Sequence, residues 1–112
     1  MAARAVPTTI SSSTATLLFE CIDGTTYSEL GYSVGSDPNI FKAGPPGVPV
    51  GFLLLFPATP VIYLGGSGVT GSSNGFAVPA SQFMAYAAAG GDSLYAIAAS
   101  GSPIVQLLAS GQ

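Results

Sequence analysis

No charged side chain occurs from Ala43 to Gly91, and prolines and glycines interrupt that whole stretch. Together these two features constrain the fold more than anything else in the chain. A long uncharged apolar run suits either a membrane-spanning helix or a set of buried strands. The most apolar window, Val48 to Gly66, has about the ~20 residues a spanning helix needs. Yet Pro49, Gly51, Pro57 and Pro60 fall inside it. Each proline removes a helical hydrogen bond and clashes with the preceding turn. No basic cluster flanks the window to set an orientation. The run is therefore expected to be strands, with no membrane contact.

The rest of the composition narrows the function classes. The chain has 112 residues and a mass of 11.1 kDa, enough for one core and not for two. Charged residues are 6% of it, against roughly 25% in an ordinary soluble domain. They are Arg4 and Lys42, with Glu20, Asp23, Glu29, Asp37 and Asp92. That leaves no basic surface to neutralise phosphates, so no nucleic-acid partner is expected. Histidine is absent and Cys21 is the one cysteine, so zinc and haem sites have almost no ligands. Cys21 has no partner for an internal disulfide and reads as a small buried hydrophobe. A hydrophobic content of 48% with low net charge is the reverse of a disordered composition. The N-terminal stretch MAARAVPTTISSS lacks the ~7–15-residue apolar run of a secretory signal. It lacks strand alternation too, so residues 1–13 are expected to be an arm and 14–112 the single domain.

Gly and Pro together supply 24 of the residues, 15 and 9, and they punctuate stretches rich in β-branched and aromatic side chains. That pattern belongs to short strands. Asp23-Gly24 reads as a two-residue hairpin turn joining TLLFECI to TTYSEL. In that register Cys21, Phe19 and Leu17 share one face, and Glu20 and Glu29 the other. Asp37-Pro38-Asn39 and Pro45-Pro46-Gly47 read as turns within a loop over 31–47. In VPVGFLLLF, residues 48–56, Val48, Val50, Phe52, Leu54 and Phe56 point one way, and Leu53 and Leu55 the other. A strand apolar on both faces is buried on both. In a chain this small, the Leu53 and Leu55 face is expected to meet another subunit. Tyr63, on the short strand Val61–Leu64, is the third candidate contact residue. Asn74-Gly75 marks a turn before Phe76–Pro79. Ser81–Ala89 is ambiguous between helix and strand and is read as strand. Ser93–Ala98 and Pro103–Ala109, separated by Ser100-Gly101, read as a hairpin. The expected fold is all-β: a small antiparallel β-sandwich or barrel of about eight short strands.

No constellation for chemistry emerges. Gly66-Ser67-Gly68-Val69-Thr70-Gly71 matches GxGxxG and follows a strand, with Asp92 about twenty residues on. A dinucleotide site also needs a helix opening within the motif, and turn-formers follow instead. Glu20 and Glu29 as a glycosidase pair have no cleft in the sequence to serve. Without histidine there is no Ser-His-Asp or Cys-His arrangement. Lys42 beside a serine reads as a solvated lysine in a Pro-Gly loop. The five carboxylates have no metal-loop spacing. Tyr27, Tyr32, Tyr63, Tyr86 and Tyr95 could stack sugars, but at strand positions such rings more often serve core or interface. No catalytic residue, cofactor or metal site is expected.

Three pieces of sequence resemble a known family. They are Tyr63-Leu64-Gly65-Gly66-Ser67-Gly68-Val69-Thr70, then Asn74-Gly75-Phe76, then the run from Gly91 to Gly101, GDSLYAIAASG. The combination resembles a small β-domain of virion structural proteins in tailed bacteriophages, over roughly residues 48–109. Family chains carry more charge around 79–90 and after Pro103 than this one does. The resemblance implies a non-enzymatic capsid cement or decoration protein on the capsid surface. Its partner would be the major capsid protein, and it would act as a homo-oligomer, a trimer by analogy with cement proteins at three-fold positions. The alternative it allows is a head-fibre or tail-associated module that contacts host glycans.

Overall fold

The computed structural model describes residues 3–32, 37–43, 50–79 and 81–110. The turn expected at Pro45-Pro46-Gly47 and the strand start at Val48 lie outside them. Nine strands and one short helix are present among the described residues, in the order β1 (Arg4–Thr9), β2 (Thr16–Ile22), α1 (Gly24–Glu29), β3 (Ile40–Lys42), β4 (Val50–Leu55), β5 (Ile62–Gly65), β6 (Phe76–Val78), β7 (Phe83–Ala88), β8 (Ser93–Ala98) and β9 (Ile104–Ala109). They build two sheets, one ordered β1-β9-β4-β7 and the other β3-β2-β8-β5-β6. All pairs are antiparallel except β2–β3. The fold is an all-β sandwich.

The core lies between the sheets. Strand β4 follows the alternation read from its sequence: Val50, Phe52 and Leu54 are buried, while Leu53 and Leu55 face outward. On β8, Leu94, Ala96 and Ala98 join the core as read, while Ile97 on the opposite face is buried too. The sheets meet through an aromatic cluster. Phe19 of β2 stacks on Phe52 of β4, with centroids 4.2 Å apart and planes 10° apart. Phe41 of β3 meets the same Phe52 edge-on at 5.0 Å.

Four sequence expectations are corrected. Asp23-Gly24 does not turn a hairpin; it starts α1. The Asp23 carboxylate accepts hydrogen bonds from the backbone N–H of Thr25 and Thr26, each 3.1 Å, and from the Thr26 hydroxyl at 2.7 Å. That side-chain cap satisfies N–H groups a hairpin would leave to strand pairing. At the other end Gly31 takes φ +79°. Its N–H donates to Ser28 O, that of Tyr32 donates to Tyr27 O, and the two tyrosine rings touch at 5.6 Å. This is a Schellman closure with its hydrophobic contact. Glu20 and Glu29 therefore sit on different elements, a strand and a helix.

The second correction is a bulge between Leu17 and Phe19, which breaks the alternation of β2. It turns both Leu18 and Phe19 into the core. Asn39 caps the irregularity: its amide donates to Leu18 O at 2.9 Å and to the Thr8 hydroxyl at 3.0 Å.

Third, much of the expected arm is strand β1, paired along its length with β9. Arg4 fastens it across the sandwich. Its guanidinium donates to Pro38 O and Ile40 O and lies 4.3 Å over the Phe41 ring. Fourth, Ser100-Gly101 joins strands of different sheets, because β8 pairs with β2 and β5 while β9 pairs with β1 and β4.

Two outcomes are expected. Phe52→Ala should lower the unfolding free energy by ~2–5 kcal/mol, the usual cost of emptying a packed site. Combined with Phe19→Ala, denaturant melts should show non-additivity of ~0.5–1.5 kcal/mol from the ring pair. Asp23→Ala should lower the melting temperature at neutral pH. Hydrogen bonds from the Thr26 hydroxyl, the Thr26 N–H and the Thr25 N–H hold that carboxyl below its ordinary value. Its contribution is thus present above the ordinary carboxylate range and lost as pH falls through and below it. Wild-type and variant melting curves should converge in acid.

Candidate interaction face

The outer side of the four-stranded sheet is built by strand parity and register. Leu53 stands opposite Leu108 of β9 on one side and Ala85 of β7 on the other, and Leu108 stands opposite Ala5 of β1. The next row runs Pro7, Gln106, Leu55, Phe83 in the same way. Ile104, opposite Thr9, extends it. No member of these rows carries a charge. The exposures are large for such side chains: Leu53 42%, Leu55 37%, Leu108 43%, Ile104 50% and Phe83 67%. An open groove runs beside Leu53, bounded by Gly51, Ala85, Ala87, Leu108 and Ser110.

The charged residues lie elsewhere. Glu20 and Lys42 are on the five-stranded sheet, and Asp23, Glu29, Asp37 and Asp92 are on α1 or in loops. Arg4 is on β1, but its guanidinium reaches across to β3. One broad face is therefore left uncharged in a chain of net charge −3.

Leu53 and Leu55 are thus brought together, and exposed in the single chain. Tyr63 is not with them. It lies on β5, opposite Ile97 and Ala77, on the outer side of the other sheet. Ile104, Leu108 and Phe83 were missed from the sequence. For β9 the signal was available, since Ile104, Gln106 and Leu108 share one parity in IVQLLA. For Phe83 it was hidden in the helix-like SQFMAYAAA.

The Gly66–Gly71 motif opens the loop between the paired strands β5 and β6, with no helix following. Asn74 braces that loop. Its side chain accepts from Thr70 N–H at 2.9 Å and donates to Gly68 O at 3.0 Å. Gly75 is required by space: a Cβ there would sit 2.6 Å from the Gly71 carbonyl and from Tyr63 Cβ. A second open cleft lies at the sheet edge between Leu64, Phe76, Met84, Tyr86 and Leu94. Among these lining side chains only Tyr86 has a hydrogen-bonding group. No group of three or more His, Cys, Asp or Glu that could hold a metal occurs among the described residues. No helix among them is long and apolar enough to cross a membrane.

Cys21 is buried. Burial, with Asp92 and then Glu20 adding to it, pushes its thiol from the ordinary 9.0 up to about 11. The folded thiol is neutral where the unfolded one ionises. Its stabilising effect is complete below the ordinary value and is lost as pH rises from there towards 11. Alkylation of the native protein at pH 8 should be far slower than of the urea-unfolded chain, measured by intact mass.

Comparison with protein-family models, curated proteins and solved structures gives no match.

Proposed function

We propose that the chain is a virion structural protein of a tailed bacteriophage: a capsid cement subunit that binds the major capsid protein on the capsid surface and acts as a homo-oligomer. The observation that carries the assembly role is the uncharged outer face around Leu53, Leu55, Leu108 and Phe83. Contiguous apolar surface of this kind marks a site that another protein covers. The phage setting rests on the sequence resemblance over roughly 48–109.

The mechanism is mechanical and needs no reaction. Each apolar contact contributes about 25 cal/mol per Å² removed from water. A rigid sandwich laid across neighbouring capsid subunits joins them through that burial, and repetition over a shell multiplies weak contacts. A glycan-binding role draws less support. The cleft beside Tyr86 offers rings but only the one Tyr86 hydroxyl among its lining side chains to orient a sugar.

The test is retention on empty heads assembled from a tailed-bacteriophage major capsid protein. Wild type should saturate at hundreds of copies per head and stay bound between low and molar salt, since screening acts only on charges. Leu53→Asp and Leu55→Asp should remain folded in thermal melts yet lose attachment, because each buries an unpaired carboxylate at the contact. Full retention of both variants, or saturation at a few copies, would overturn the assignment.

A further inference from the structure

The sheets end in strand edges that differ sharply in how well they are protected. In β4–β7, Phe56 N–H donates to Gln82 O at 3.0 Å, one step beyond the Leu55–Phe83 pair. Bonded and non-bonded pairs alternate along an antiparallel ladder. Met84, Tyr86 and Ala88 therefore bond to β4, and Phe83, Ala85 and Ala87 turn their N–H and C=O groups to the free edge.

The same parity argument applied to β1 starts from Ile10 N–H donating to Pro103 O at 2.7 Å. It places Ala5, Pro7 and Thr9 at that strand's free edge. Pro7 has no N–H there, which is how natural sheets block strand addition. Strands β3 and β6 have three residues each and offer little to pair with. Strand β7 has six residues, no charge, no proline and no bulge in its ladder with β4. It is the one long unguarded edge among the described strands.

We propose that β7 pairs antiparallel with β7 of a second copy, about a twofold axis at Ala85. In its premise of assembly this rests on the function proposed above, and it names the contact between copies. Four features of β7 select a second copy. Residues directly opposite in such a pair must share a face, and pairing about Ala85 satisfies that, joining the two four-stranded sheets into one of eight strands. It sets Phe83 over Ala87 of the partner subunit on the outer face, and Met84 against Tyr86 of the partner subunit on the inner one. Large side chains thus meet small ones, and a thioether meets a ring. All outward N–H and C=O groups find partners, about six hydrogen bonds in all. No charge on either strand opposes the approach. Pairing β7 instead with a partner's β1, as a closed threefold ring would require, meets the missing N–H of Pro7.

The test is the mass of the free full-length chain in solution, which involves no capsid and so is independent of head binding. Sedimentation should give twice the 11.1 kDa chain mass. Ala85→Glu faces its own copy at the axis, and like charges directly opposite repel. It should halve the mass while leaving circular dichroism and the melting curve folded. Ala85→Lys should do the same. Mixing the two variants in equal amounts should restore the doubled mass. A wild-type monomer or trimer would overturn the proposal, as would dimers of Ala85→Glu. Failure of the mixture to pair would overturn the register at Ala85.

Discussion

The contact of Phe19 with Phe52 sets the terms for the rest of this structure. It is the stacked ring contact between the two sheets, and Phe41 closes against the same ring. Phe19 reaches it with the same inward parity as Cys21. The bulge at Leu17–Phe19 adds Leu18 to the core beside it, and the Asn39 amide donates to the Leu18 carbonyl. Asn39 sits where it does because β3 runs parallel to β2, and that pairing demands a crossover, supplied by α1 and the loop after it. Arg4 then ties β1 to the same place by stacking on Phe41. The aromatic cluster, the bulge, the Asn39 bonds and Arg4 thus meet at one edge of the sandwich.

With so few charges, the polar groups of the loops are satisfied locally. Asp23, Asp37, Asn74, Asp92 and Ser11 each bond backbone N–H or C=O groups near their own turn. Local capping needs no long-range ion pair and leaves the sheet faces unconstrained. This is how the outer side of β1, β9, β4 and β7 can be wholly uncharged without disturbing the fold.

Regular strands were legible in the sequence and side-chain-driven departures were not. Alternation in GFLLLF and in LYAIA placed the inward residues of β4 and β8, because a period of two has one solution when one face is buried. Asp23-Gly24 misled because the pair serves equally as hairpin turn and helix N-terminus. The discriminating signal was Gly31, placed to close a short helix begun at Asp23. Strand β1 was missed because Pro7 and Thr8-Thr9 look like loop residues. Pro7 is tolerated since its nitrogen faces an edge with no partner. The Ser100-Gly101 turn was real but joined different sheets, and no local pattern distinguishes a hairpin from a crossing between layers. On the candidate face, Leu53 and Leu55 came from alternation within one strand. Their neighbours Leu108 and Phe83 required the register between strands, and Tyr63 was separated from them by the sheet assignment.

The apolar face and the open edge impose opposite requirements on a partner. Burial of a face is non-directional, so it tolerates small shifts across a curved surface. An edge demands register, because a slip of one residue moves every side chain to the other face. A chain of net charge −3 has little long-range repulsion to keep copies apart. An unguarded edge on such a chain would recruit strands indefinitely if both ends of the sheet were open. Here the far end is blocked by Pro7, so an eight-stranded sheet made through β7 presents only blocked edges. Twofold pairing therefore terminates assembly where heterologous pairing would propagate it. The apolar face is left uncovered for a different partner.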